Sequence, residues 1–144
     1  MFYIMKFQRG RDKMRILIAE DDFITRIYMS RFLSKYGECD IAVDGKEAVE
    51  AFSMALDEGM GYDLVCLDII MSNKDGYQAL EQIREIEIAN EVPVEERANI
   101  VMSSALAEKR NVTKAFNMGC TAYAGKPIDP QKFEKLLKKL DLIR

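Results

Sequence analysis

The stretch Asp63-Leu64-Val65-Cys66-Leu67-Asp68 decides the fold. Its apolar run is short, unbroken and closed by an aspartate, which suits a strand at the centre of a parallel sheet covered on both faces. Such a strand needs helices above and below it, so the flanking sequence should alternate strands with helix-period segments. Upstream, Arg15 to Ala19 reads as a first strand. It leads into a helix with Thr25, Tyr28, Met29, Phe32, Leu33 and Tyr36 on one face and Gly37 as its C-cap. Cys39 to Val43 reads as a second strand, and Asp44-Gly45 turns it into a helix that buries Ala48, Val49, Phe52 and Leu56. Downstream, a polar loop ending in Asp75-Gly76 opens a helix through Tyr77, Leu80 and Ile83, and Val92-Pro93 marks a break. Asn99 to Ser103 is a fourth strand, and Glu108 to Asn117 is a helix ending at Gly119. Thr121 to Ala124 is a fifth strand, and Pro130 opens a last helix that buries Phe133, Leu136, Leu137 and Leu140. Five βα units therefore predict an α/β fold built on a parallel sheet.

The composition narrows the chemistry. At 144 residues, with 49% hydrophobic and 31% charged residues, the chain has the size and balance of one soluble domain, and its apolar runs are too short to cross a bilayer. Membrane insertion is not expected. Histidine is absent, which excludes imidazole ligands and histidine-assisted nucleophiles within the chain. The net charge of -3 argues against a general binder of nucleic-acid backbones, so DNA is not an expected partner. Cys39, Cys66 and Cys120 are odd in number, widely spaced and set among apolar residues, as reduced buried thiols are, and this points to the cytoplasm. Residues 1–13 differ from the rest: Lys6, Arg9, Arg11 and Lys13 against Asp12 give +3, leaving -6 for residues 14–144. The expected division is an N-terminal extension over 1–13, disordered or not native, and one domain over 14–144. No second domain is expected after the last helix.

Polar residues stand where the apolar strands end. Glu20-Asp21-Asp22 follows the first strand, Asp68 the third, Ser103-Ser104 the fourth and Lys126 the fifth. The carboxyl ends of parallel strands share one rim, so these residues should meet there despite their separation in sequence. Acidic residues at strand ends also serve as helix N-caps, and for Glu20-Asp21-Asp22 alone that reading stands beside a functional one. Several carboxylates in one crevice repel one another and raise their own pKa values unless a cation joins them, so Glu20, Asp21 and Asp68 together suggest a hard metal. Mg2+ suits one or two carboxylates, a backbone carbonyl near Ile70, water and phosphate oxygens. A serine hydroxyl and a lysine facing the same point would complete an anion site.

These residues resemble the receiver domains of two-component response regulators. The resemblance covers about residues 14–143. It is carried by Glu20-Asp21-Asp22, by Leu67-Asp68-Ile69-Ile70-Met71-Ser72-Asn73-Lys74-Asp75-Gly76, by Ser103-Ser104-Ala105 and by Tyr123-Ala124-Gly125-Lys126-Pro127, with a 22-residue step from Ser104 to Lys126. It implies a flavodoxin-like doubly wound sheet of strand order 2-1-3-4-5. Asp68 would accept a phosphoryl group from a histidine kinase, a histidine phosphotransfer protein or a small phosphodonor. Asp21, Asp68 and the Ile70 carbonyl would hold Mg2+, with Glu20 acting partly through water. Lys126 and Ser104 would contact phosphoryl oxygens, and Ser104 and Tyr123 would form the switch. The face formed by the fourth helix, fifth strand and fifth helix would then meet a downstream target, and a phosphorylation-linked dimer is compatible with this scheme. The chain would act as a stand-alone phospho-switch and catalyse only its own phosphorylation and dephosphorylation. The Lys126-Pro127 bond resembles one that is cis in the family.

Two departures stand out. Ser72 occupies a position where the family usually has proline, which should loosen that loop. Ile70 and Leu106 are apolar where some relatives carry polar residues able to guide attacking water, which implies slow self-dephosphorylation. Two rivals differ in kind. A pseudo-receiver would bind partners without phosphorylation, but such proteins typically lack the acceptor or the lysine. A phosphatase of the haloacid-dehalogenase type would need a second aspartate two positions after Asp68, where Ile70 stands.

Overall fold

The computed structural model describes residues 14–105 and 109–144. Five strands, β1 (Met14–Ala19), β2 (Gly37–Ala42), β3 (Leu64–Asp68), β4 (Asn99–Ser104) and β5 (Ala122–Gly125), alternate with five helices. The helices are α1 (Phe23–Leu33), α2 (Gly45–Asp57), α3 (Gly76–Ala89), α4 (Lys109–Asn117) and α5 (Pro130–Lys139), and a short 3-10 turn over Val94–Glu96 follows α3. All paired strands run parallel, in the order β2-β1-β3-β4-β5. The expected flavodoxin-like topology is the observed one.

The alternation of side chains along each strand explains the two layers of helices. On β1, Ile16 and Ile18 join Leu64 and Cys66 of β3 against Met29 and Leu33 of α1 and Phe133 and Leu137 of α5. Leu17 and Val65, pointing the other way, meet Phe52 of α2, Leu80 and Ile83 of α3 and Ala115 of α4. Every residue of β3 is buried, as its apolar run requires. Helix starts are set by aspartates: Asp22, Asp44, Asp75 and Asp129 each accept a backbone N–H in the first turn of α1, α2, α3 and α5.

Three local expectations need correction. Gly37 does not cap α1. The helix ends at Leu33, with Ser34 in right-handed backbone, and Gly37 opens β2, where a Cβ would stand 2.2 Å from the Met14 carbonyl oxygen. The glycine is there for close strand approach, not for a left-handed turn. Tyr28 is exposed and not part of the buried face, and Tyr36 lies beyond the helix with its ring edge-on to Phe32. Cys66 and Cys120 are buried, but Cys39 is only half-buried. Among the described residues, no helix is long and apolar enough to cross a membrane.

Candidate functional site

The strand register brings the polar positions together. Leu67 of β3 pairs with Ala19 of β1 and Met102 of β4, Asp68 pairs with Ser103, and Ser104 pairs with Gly125 of β5. Glu20, Asp68, Ser104 and Lys126 thus end neighbouring strands at the rim where the strand order reverses. One carboxylate oxygen from each of Glu20, Asp21 and Asp68 lies within 4.8 Å of the others. Glu20 and Asp68 are buried, and Asp21 is exposed. The Lys126 ammonium reaches Glu20 Oε1 at 2.6 Å and Asp68 Oδ2 at 3.2 Å, and the Lys126-Pro127 peptide is cis.

The acidic triplet after β1 divides its work. Asp22 accepts the Thr25 backbone N–H at 2.9 Å and the Thr25 hydroxyl at 2.6 Å, so it caps α1, and these bonds hold its carboxyl below the usual range. Glu20 Oε2 accepts the Asp22 backbone N–H at 3.1 Å, leaving Oε1 for Lys126. Arg26, which the sequence did not single out, donates to the Glu20 carbonyl at 2.9 Å and ties the turn back to α1. The capping reading therefore holds for Asp22, while Glu20 and Asp21 bring carboxylate oxygens to the rim beside Asp68.

Electrostatics show which side of the balance is short. Burial raises the Asp68 carboxyl, Glu20 raises it further through a hydrogen bond and its charge, and Lys126 opposes both, leaving it at about 6. Burial also works to lower the Lys126 ammonium, but Glu20 and Asp68 outweigh it and raise the group. Among the described residues, three clustered carboxylates therefore stand beside one ammonium, which pairs with two of them, in a partly desolvated crevice. The donors are hard oxygens with one exposed approach at Asp21, which fits a small divalent cation of the Mg2+ type better than a soft metal.

Ser104 is buried and Tyr123 half-buried on the α2–α3–α4 side of the sheet. Burial raises the Tyr123 phenol, and a side-chain hydrogen bond with Ser104 works against it. Ile70, next but one to Asp68, is exposed between the buried anchors Ile69 and Met71. Its backbone N–H donates weakly, at 3.4 Å, to Asp68 Oδ1. Leu106 lies outside the described residues.

The family model for the response regulator receiver domain matches residues 16–138. The chain is 34% identical over 120 residues to the chemotaxis protein CheY of Treponema pallidum, covering 82% of this chain and 76% of that one. It is 32% identical over 126 residues to a probable transcriptional regulator, ycf29, of Porphyra purpurea, covering 87% of this chain but only 55% of that one. The chain also spans small fractions of the histidine kinases it matches. Among solved structures, the CheX–CheY–BeF3–Mg2+ complex of Borrelia burgdorferi superposes with a TM-score of 0.76 at 26% identity over 93% of both chains. The chain belongs to the response regulator receiver family, and it is a CheY-like domain of two-component signalling.

Proposed function

We propose that Asp68 is the phospho-acceptor of a Mg2+-dependent switch, and the observation that carries this reading is the excess of carboxylate around it. Asp21, Asp68 and the Ile70 carbonyl would hold the ion, with Glu20 beside them. When bound, the ion offsets charge on the transferring phosphoryl oxygens. An oxygen of Asp68 attacks the phosphorus of a phosphohistidine on a kinase or phosphotransfer partner. An acyl-phosphate O–P bond forms as the N–P bond breaks, and the imidazole leaves with a solvent proton. The chain has no histidine, so the donor must come from outside. Lys126, already against Asp68, moves onto a phosphoryl oxygen as a point charge.

Added negative charge at Asp68 draws the Ser104 hydroxyl toward it. That movement competes with the hydrogen bond between Ser104 and Tyr123, frees the ring, and shifts the population of the α4–β5–α5 face toward a form that a downstream protein recognises. No effector activity is required of this domain. The competing pseudo-receiver reading has no observation in its favour, because acceptor, lysine and acidic cluster all converge. Intact mass spectrometry after treatment with acetyl phosphate tests the proposal. Wild type with Mg2+ should gain one phosphoryl mass, and Asp68→Asn should gain none. Equal labelling of both proteins would defeat it.

A further inference from the structure

Between Asp68 and Gly76 the chain turns back on itself, and its base and tip are fixed by different devices. At the base, the Gly76 N–H donates to the Ile69 carbonyl at 2.8 Å, and a Cβ on Gly76 would stand 2.3 Å from the Asp68 carbonyl oxygen. At the tip, the Lys74 N–H donates to the Ser72 carbonyl at 2.7 Å across Asn73, whose φ is 64°. A three-residue turn with positive φ at its centre is the strained member of its class, and such a conformation persists only where its surroundings hold it.

The hold comes from the start of α2. Asn73 Nδ2 donates to Asp44 Oδ2 at 2.6 Å, while Asp44 Oδ1 accepts the Glu47 N–H at 2.8 Å as the helix cap. Gly45 follows, so close to the loop that a Cβ would stand 2.0 Å from the Lys74 carbonyl oxygen. On the other side, Lys74 Nζ donates to Gln82 of α3 at 2.6 Å. The tip is thus pinned to two helices, although Ser72 and Asn73 are exposed and bury little. Exposed polar pairs contribute little stability, and glycine would take the same backbone without strain, so what this arrangement supplies is geometry.

Ile70 lies on the segment between these two fixed points. We infer that Asp44 and Asn73 form a positioning pair: by pinning the tip of the loop after the acceptor, they set the Ile70 carbonyl and the Asp68 carboxylate in the arrangement that takes up the divalent ion. The inference rests on the Mg2+-dependent reading of the site. Neither residue belongs to the set that would hold the ion or the phosphoryl group, and both would act through the loop.

A charge-conserving swap tests it. Asn and Asp both tolerate positive φ and both cap helices, so Asn73→Asp alone sets two carboxylates against each other, whereas Asp44→Asn with Asn73→Asp rebuilds the bond with its polarity reversed. Mg2+ affinity is read by calorimetry, the melting temperature is measured without metal, and amide exchange is followed over residues 70–76. Asn73→Asp should bind Mg2+ about tenfold more weakly, the cost of a small misplacement of a ligand, and the swap should recover wild-type affinity. Asn73→Gly, which removes the side chain without strain or charge, should also bind more weakly and exchange faster over the loop, with little change in melting temperature. Wild-type Mg2+ affinity in both Asn73→Asp and Asn73→Gly would overturn the pair's role, as would a swap no better than Asn73→Asp. A wild-type protein that neither binds Mg2+ nor takes up phosphoryl would overturn the functional reading and this inference with it.

Discussion

Two buried charged clusters sit at opposite ends of the sheet, and the contrast between them separates structure from function. At the amino ends of the strands, Glu87 of α3 is almost wholly buried, yet both its oxygens have donors: Arg84 Nη1 at 2.7 Å and the Ala98 N–H at 2.8 Å. Arg84 in turn donates to the Gly119 and Ala98 carbonyls, each at 2.9 Å, so α3, the residue leading into β4 and the turn before β5 share one ion pair. Anion and cation balance there. At the carboxyl ends, the carboxylates of Glu20, Asp21 and Asp68 cluster beside the Lys126 ammonium, the Arg26 guanidinium being spent on the Glu20 and Asp21 carbonyls, and Asp68 is pushed up to about 6. A balanced buried pair braces the fold, whereas an unbalanced one stores a demand for positive charge that a ligand can meet.

The largest effect should come from breaking the brace. Glu87→Ala leaves the Arg84 guanidinium without its counter-charge and the Ala98 N–H without its acceptor and should cost roughly 3–5 kcal/mol in urea unfolding. Mg2+ affinity of the folded fraction should be unchanged. A loss well under 1 kcal/mol, or weakened Mg2+ binding, would erase the distinction between the two ends.

The opposite sign is expected at the rim. Asp68 carries a folded pKa of about 6 against an ordinary value of 3.8, so the metal-free native state holds more protons than the unfolded chain between those limits. Its ionised form therefore destabilises the metal-free protein, fully so above pH 6 and not at all well below 3.8. Asp68→Asn should stabilise the metal-free protein at neutral pH by roughly 1–3 kcal/mol, and the gap should close as the pH falls through that window. A mutant less stable than wild type at neutral pH would mean that Lys126 already satisfies the site.

Smaller effects sharpen the division inside the acidic triplet. Asp22→Ala removes a helix cap and should cost about 1 kcal/mol while leaving Mg2+ affinity intact. Asp21→Asn should do the reverse, weakening Mg2+ binding with little loss of stability. If the two exchanged phenotypes, the assignment of cap and ligand would be inverted. Last, replacing Ile70 with Asn and Leu106 with Glu should speed phosphate loss from Asp68 severalfold by admitting a guided water, followed as decay of the phosphorylated mass. Unchanged decay would show that these side chains do not limit water attack.

The fold was legible because its determinants are local and repeated. The apolar run from Leu64 to Leu67 demanded cover on both faces, and polar residues at strand ends had only one rim on which to meet. What escaped the sequence depends on contacts between distant segments. Gly37 follows an apolar helical period and looks like a cap, but its reason is the Met14 carbonyl on the neighbouring strand. Arg84 and Glu87 have the spacing of an exposed helical pair, and only the turn through Pro93 that brings Ala98 back against α3 makes Glu87 a buried brace. Asp44-Gly45 reads as a simple turn until the loop after Asp68 arrives against it. Even within Glu20-Asp21-Asp22, cap and site could be told apart only by which way each carboxylate points.

Peptide mapping by mass spectrometry, after treatment with acetyl phosphate in the presence and absence of Mg2+, tests the central claim most directly. A single modified side chain, Asp68, is expected, with labelling that collapses when the ion is chelated. Modification at Asp21 or Ser104 instead, or labelling of Asp68 that is indifferent to Mg2+, would contradict it.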